Sequence, residues 1–245
     1  MNNSTNLKYE IDSSIFSKLP GSPIVYWITS SFVDCYENPS LETLAKPCKG
    51  IDTGKNDVFL RLWFEVKYHD FRIPSVLPMK NDEAFAYKWF PYNKGGEYRK
   101  WYGNNEYVIY YASDGAKLKG YNGSNLRNKE YYFQSGVTWS TVSCNNCSFR
   151  YFDYGFLFDN GGSCLFSRNQ LKYILGFLNS NVAKAILKMQ PTLNTQPGTI
   201  ASMPLAISEK DIETIKCLVE DSIDLARADW DSSEVSWDFT KHPMI

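Results

Sequence analysis

Between Lys88 and Gly103 the chain reads Lys-Trp-Phe-Pro-Tyr-Asn-Lys-Gly-Gly-Glu-Tyr-Arg-Lys-Trp-Tyr-Gly. Trp89, Phe90, Tyr92, Tyr98, Trp101 and Tyr102 alternate with Lys88, Lys94, Arg99 and Lys100. No fold can leave every one of those rings in water, and none can bury every one of those cations unpaired. Half of the rings are therefore expected inside and the cations on a contact surface. Gly95-Gly96 at the centre lets backbone amides approach a ligand closely. Cations attract phosphate and ring faces stack on bases, so the pattern suits a nucleic-acid surface.

The charge distribution points the same way. The net charge of the 245 residues is −1, yet Glu209–Asp238 holds ten acidic and three basic residues, which leaves the preceding body mildly basic. A basic body beside an acidic helix fits a protein that faces nucleic acid. An aromatic content of 16% accompanies β-rich folds or surfaces that grip flat ligands. From the polar start and the short apolar runs, neither a signal peptide nor a membrane span is expected. Reduced, cytoplasmic thiols are expected for Cys35, Cys48, Cys144, Cys147, Cys164 and Cys217. Cys144-Asn-Asn-Cys147 has half-zinc-site spacing, but His69 and His242 are the only histidines, so no metal is expected.

Periodicity gives an α+β fold with a mixed, mostly antiparallel sheet and flanking helices. A helix is expected from Ser22-Pro23 to Asn38-Pro39, a short one over 40–45, and a strand over 58–68. Another short helix is expected from Asn81 to Tyr87. Short strands follow at 106–111, 136–142, 149–151 and 156–158, with Asp114-Gly115 and Asn122-Gly123 as turns. Leu171–Leu187 reads as two helices with a corner at Asn179-Ser180-Asn181. Residues 191–204 read as a polar loop carrying Thr192, Asn194, Thr195 and Gln196. Ser208 and Asp211 cap a long helix whose buried side is Ile212, Ile215, Val219, Ile223 and Leu225-Ala226. The expected organisation is a tail over 1–18, one domain over 19–207 and an acidic helix and tail over 208–245.

Most catalytic templates are absent. There is no Gly-x-Ser-x-Gly elbow and no dinucleotide glycine motif. Gly50-Ile-Asp-Thr-Gly-Lys-Asn56 is one residue too short for a phosphate loop and lacks Ser/Thr after the lysine. Asp57, Glu65 and Lys67, the last two on a predicted strand face, match the spacing of a metal-dependent nuclease, which is kept as an alternative.

Several segments resemble a known family. Trp89–Glu106, Leu19–Trp27, Gly50–Arg61 (a "GLATGxNxxFxR" segment), Thr138-Trp-Ser140, Phe158–Ser163, Pro191–Leu205 and Ser236–Phe239 resemble the C-terminal part of the PglX family. These are the adenine-specific DNA methyltransferases of bacterial phage-exclusion (BREX) systems. The resemblance implies a target-recognition domain of the TaqI-like type, which reads double-stranded DNA for a separate catalytic domain. That domain, in the same or another chain, would bind S-adenosylmethionine. The family's Asn-Pro-Pro-Tyr is missing, because the chain has no adjacent prolines, and Phe158-Asp-Asn-Gly-Gly162 lacks the spacing of the cofactor loop. No catalytic residue is therefore assigned and no cofactor is expected in this chain, which reads as a fragment or a stand-alone specificity module.

The expected contacts follow. Lys55, Arg61, Lys94, Arg99 and Lys100 would bind phosphates, with Gly95 and Gly96 at the centre of the segment. Asn93, Asn194 and Gln196 would read base edges, and Trp101 or Tyr102 would stack or wedge. A second alternative is a protein-interaction module of a phage-defence complex, docked through the acidic helix. No membrane partner is expected.

Overall fold

The computed structural model describes residues 12–75, 77–78, 86–142, 146–189, 194–242 and 244–245. Two four-stranded sheets carry the fold. In the first, β1 (Lys46–Cys48), β8 (Cys164–Phe166), β5 (Gly136–Trp139) and β6 (Phe149–Phe152) lie side by side, all antiparallel. In the second the order is β2 (Leu60–Leu62), β4 (Tyr107–Tyr110), β3 (Trp89–Asn93), β7 (Leu157–Phe158), with only the β3–β7 pair parallel. The expected α+β class is the observed one.

Side-chain alternation makes the first sheet the middle layer. Val137, Trp139, Phe149 and Leu165 join one core with the helices, while Phe152, Cys164 and Phe166 join a second core with Phe90, Tyr92, Ile109 and Phe158 of the other sheet. A strand buried on both faces has no polar alternation, and β5 is buried at every position.

Among the described residues the helices include α1 (Ser30–Asp34), α2 (Asn56–Phe59), α3 (Ala112–Lys119), α4 (Leu171–Leu178), α5 (Asn181–Lys188), α6 (Pro197–Ala201) and α7 (Ile212–Asp231). The corner between α4 and α5 lies where the sequence puts it. Ser180 Oγ accepts from Ala183 N at 3.2 Å, capping α5. The Asn179 side chain exchanges two hydrogen bonds with the Phe149 backbone and fastens the corner to β6. α7 crosses α4 at Gly176, where a Cβ would meet Val219 Cγ2 at 2.9 Å. Ser208 Oγ donates to Asp211 Oδ2 at 2.8 Å, just before the helix begins. Leu225 departs from expectation: it is 73% exposed, and Val219, Ile223 and Trp230 form the buried side.

Other expectations are corrected. The helix from Ser22 is reduced to α1 and a following turn of 3-10 helix, and Ser22 itself takes φ +47° rather than the extended conformation of an N-cap. The strand over 58–68 shrinks to β2, followed by 3-10 turns at Trp63–Glu65 and Tyr68–Asp70. Glu65 Oε2 accepts from Leu62 N at 2.8 Å and bends the chain there. β3 had no strand signal because Pro91 interrupts it. Pairing with β7 begins only at Tyr92, so Pro91 has no partner to lose on that side. The helix expected over 81–87 lies mostly outside the described residues. Asp114-Gly115 is the expected turn: Ser113, Asp114 and Gly115 all take positive φ at the start of α3.

Candidate nucleic-acid interface

The ring-and-cation segment divides between core and surface. Phe90, Tyr92 and Tyr102 are buried, Trp89 and Trp101 are half-buried and Tyr98 is exposed. The expected half of the rings is thus inside. Burial pushes the Tyr92 hydroxyl well above its ordinary pKa, and it donates to Ile51 O at 3.1 Å.

The cations differ from expectation. Lys88 reaches Asp70 at 3.1 Å, Lys94 reaches Asp159 at 2.9 Å and Arg99 reaches Asp229 at 2.7 Å. Arg99 also lies over the Trp230 ring, 5.2 Å from its centroid. Lys100 Nζ donates to Asn179 O at 2.8 Å. The cations expected to form an open phosphate surface are instead stitches between distant parts of the chain. Asn93 and Tyr102 are corrected too: they are 4% and 3% exposed. Asn93 accepts a bond from Asp159 N through its carbonyl, and Tyr102 lies under Arg227 at 4.3 Å. Trp101 holds φ +72°, rare for a bulky residue. Its backbone is fixed by bonds from Trp101 N to Phe149 O and from Tyr151 N to Trp101 O, at 2.9 and 2.7 Å.

Several separate motifs meet at one end of the sheets. Ile51 N donates to Phe158 O and Asp159 N to Asn93 O. Thr141 N donates to Gly161 O and Thr195 N to Thr141 O. Ser140 Oγ closes the set by donating to Gly96 O at 2.8 Å. Segments 50–52, 93–96, 140–142, 159–162 and 194–196 therefore form one loop cluster. Gly162 is needed for this approach, since a Cβ there would sit 2.3 Å from Asn93 O. Gly96, at φ +128°, reverses the chain beside Asn104.

The remaining candidates are distributed as follows. Asn194 is exposed and bridges to Val142, and Gln196 is half-buried at the start of α6. Thr192 and Cys144 lie outside the described residues. Lys55 is exposed and makes no ion pair among the described residues. Arg61 turns back, its Nη1 donating to the carbonyls of Asp57 and Leu60 at 2.7 and 2.6 Å. The nuclease alternative loses its geometry: Asp57 sits on α2, and Glu65 is engaged by Leu62 N rather than lying on a strand face. No cluster of three metal-ligating side chains exists among the described residues. The Asp159–Gly162 loop does not fit a cofactor cradle, because Gly162 is filled by the Asn93–Gly95 backbone.

Arg150 carries no signal in the sequence. It lies on β6, 1% exposed, with Nη1 bonded to Arg99 O and Ser148 Oγ at 3.3 Å. Its Nε and Nη2 have no partner among the described residues, and burial lowers its pKa to about 10. Its neighbour Thr138 gave a signal of strand alone, so nothing in the sequence set this arginine apart from the surface cations.

No known family model matches the chain. Two curated relatives do. The chain is 43% identical over 237 residues to the adenine-specific methyltransferase BrxX of Escherichia coli O9:H4 (strain HS), covering 94% of this chain and 18% of that protein. It is 35% identical to the adenine-specific methyltransferase PglX of Lacticaseibacillus casei (strain Zhang), covering all of this chain and 21% of that protein. The chain spans about a fifth of the length of the curated relatives it matches. No helix among the described residues is long and apolar enough to cross a membrane. With its motifs gathered into one loop cluster, and with this similarity running along nearly its whole length, the chain is homologous to a segment of the BrxX and PglX adenine-specific methyltransferases.

Proposed function

We propose that this chain is the DNA target-recognition portion of an N6-adenine methyltransferase of restriction-modification or phage-exclusion type. The observation that carries the reading is the 237-residue similarity to a protein named as an adenine-specific methyltransferase, in a chain that lacks Asn-Pro-Pro-Tyr. Methyl transfer belongs to a catalytic portion outside this chain, in the same or another polypeptide, where S-adenosylmethionine supplies the methyl group. Other phage-defence subunits are further proposed partners of that assembly, and the cytoplasm is its proposed compartment.

Within this chain the loop cluster is the proposed reading head. Asn194 and Gln196 are suited to paired hydrogen bonds with the N6 and N7 edge of adenine in the major groove. Lys55 is free to contact phosphate. Lys94 and Arg99 can reach phosphate only by exchanging Asp159 and Asp229 for it, so they act as second-choice contacts.

Fluorescence anisotropy of the chain with labelled duplex DNA over a salt series tests this. Affinity should fall linearly on a log–log plot, by about 0.9 per phosphate contacted. Lys55→Ala should reduce the slope by roughly one while lowering affinity for all sequences alike. Binding that ignores salt, or no binding at low salt, would count against the reading.

A further inference from the structure

Helices α4, α5 and α7 and the segment 204–206 enclose a cleft of about 470 Å³, on the side of the first sheet that faces away from the second. Trp101, Phe177, Val182, Ile186, Leu218 and Val219 form most of its apolar wall. Val182 and Leu218 are 49% and 60% exposed. Leu225, two turns beyond Leu218 on α7, is 73% exposed. Soluble surfaces seldom leave so much aliphatic side chain clustered in the open unless something covers it.

The outer face of α7 adds a charge preference. Glu220 and Asp229 are held by Lys172 and Arg99. Asp221 and Asp224, set between Leu218 and Leu225, make no ion pair among the described residues. An occupant that buries the leucines must bring cations for these carboxylates or leave them desolvated and unpaired.

We propose that this cleft and the outer face of α7 dock the remainder of the methyltransferase polypeptide, through a segment that inserts a bulky apolar side chain flanked by lysine or arginine. The inference rests on the reading that a catalytic portion accompanies this chain. The relatives' length supports it: about four fifths of BrxX and PglX lies outside the aligned segment and must share a boundary with it. No residue of the Asn194 loop cluster lines the cleft, so docking of the enzyme body there leaves Asn194 and Gln196 uncovered for DNA.

Two thiols report on the site. Cys35 lines the cleft and Cys217 is exposed on α7. The chain is grafted into E. coli BrxX in place of the aligned segment, and maleimide labelling of both cysteines is compared with the 245-residue chain alone. Labelling should slow by about tenfold or more in the graft, as for a stably covered surface, and the Val182→Glu, Leu218→Glu variant should restore it. Equal rates in graft and isolated chain overturn the proposal. So does slow labelling of the isolated chain that depends on its concentration, which would make the occupant a second copy. Should the graft fail to fold, tiled peptides covering BrxX outside the aligned segment are titrated against the isolated chain while Trp101 fluorescence is followed, with Trp101→Phe as the blank. A basic-aliphatic peptide that shifts the emission supports the proposal, and silence from every peptide overturns it. Protected thiols with an unchanged methylation sequence would sink the target-recognition reading and leave docking intact; exposed thiols with a changed sequence would do the reverse.

Discussion

Lys94 and Lys55 both belong to the expected phosphate-contact set, but the fold uses them differently. Lys94 lies in the ring-rich segment and is tied to Asp159, a carboxylate 14% exposed. Lys55 stands in water, and so do Lys46, Arg168, Lys184 and Lys188, none with an ion pair among the described residues. Charge density in a stretch of sequence therefore does not measure charge available to a ligand. The densest cations of this chain are spent on joining β3, the α4–α5 corner and α7. The scattered ones are left free. Aromatic neighbours explain the difference: rings that fold inward carry their flanking cations to the nearest carboxylate, where pairing offsets the lost hydration.

That contrast can be broken in several ways. Alkaline pH should have the largest effect, because it strikes the buried rings. Burial pushes Tyr36 and Tyr151 to about 12, and Tyr92 and Tyr102 also above their ordinary value of 10. A pKa raised in the folded state stabilises it fully below pH 10 and loses that contribution as pH climbs toward 12. Circular dichroism should show cooperative unfolding in that window, together with tyrosinate absorbance; gradual tyrosine ionisation in a folded protein would contradict it.

Trp230→Ala should cost about 3–5 kcal/mol, as for a buried tryptophan, because Trp230 is 5% exposed and supports both Arg99 and Gly103. Arg227→Ala should cost roughly 3 kcal/mol, since it strands Asp153, whose side chain is 7% exposed and 2.9 Å from Arg227. Adding Asp153→Asn should return most of that loss. Lys94→Ala should cost about 1–2 kcal/mol by leaving Asp159 half-desolvated. Lys55→Ala should stay within about 0.5 kcal/mol of the parent. Urea unfolding measures all four. If Lys94→Ala proves as harmless as Lys55→Ala, the distinction between stitching and free cations fails.

Arg150 sharpens the same comparison from the other side, as a cation with two nitrogens unsatisfied in the interior. Arg150→Met should be neutral or stabilising by about 1 kcal/mol, as when a poorly compensated buried charge is replaced by an apolar side chain. A large loss would show that the Nη1 bonds to Arg99 O and Ser148 Oγ outweigh the burial of the two unpartnered nitrogens.

The sequence made some of this legible for clear reasons. The helical periodicity of α4 and α5 and the break at Asn179-Ser180-Asn181 are local signals, and local bonds enforce them. The turns of 104–160 are equally local. The length of the strand at Val58 was not legible, because the bend depends on Glu65 capping Leu62 and on Trp63 Nε1 bonding Val235 O across the fold. β3 was hidden by Pro91, whose acceptance depends on where β7 begins. For the site, the motifs themselves could be read, but not that Ser140, Gly161 and Thr195 would be brought together with Gly96. Nor could the engagement of Arg99 by Asp229, which requires α7 to lie across the segment.

The central claim is that this chain selects the DNA sequence an adenine methyltransferase modifies. Grafting it into E. coli BrxX in place of the aligned segment, then sequencing methylated adenines genome-wide, tests it most directly. The account predicts methylation at a new recognition sequence that Asn194→Ala or Gln196→Ala degrades while overall folding is retained. An active graft that still methylates the parental BrxX sequence would contradict it.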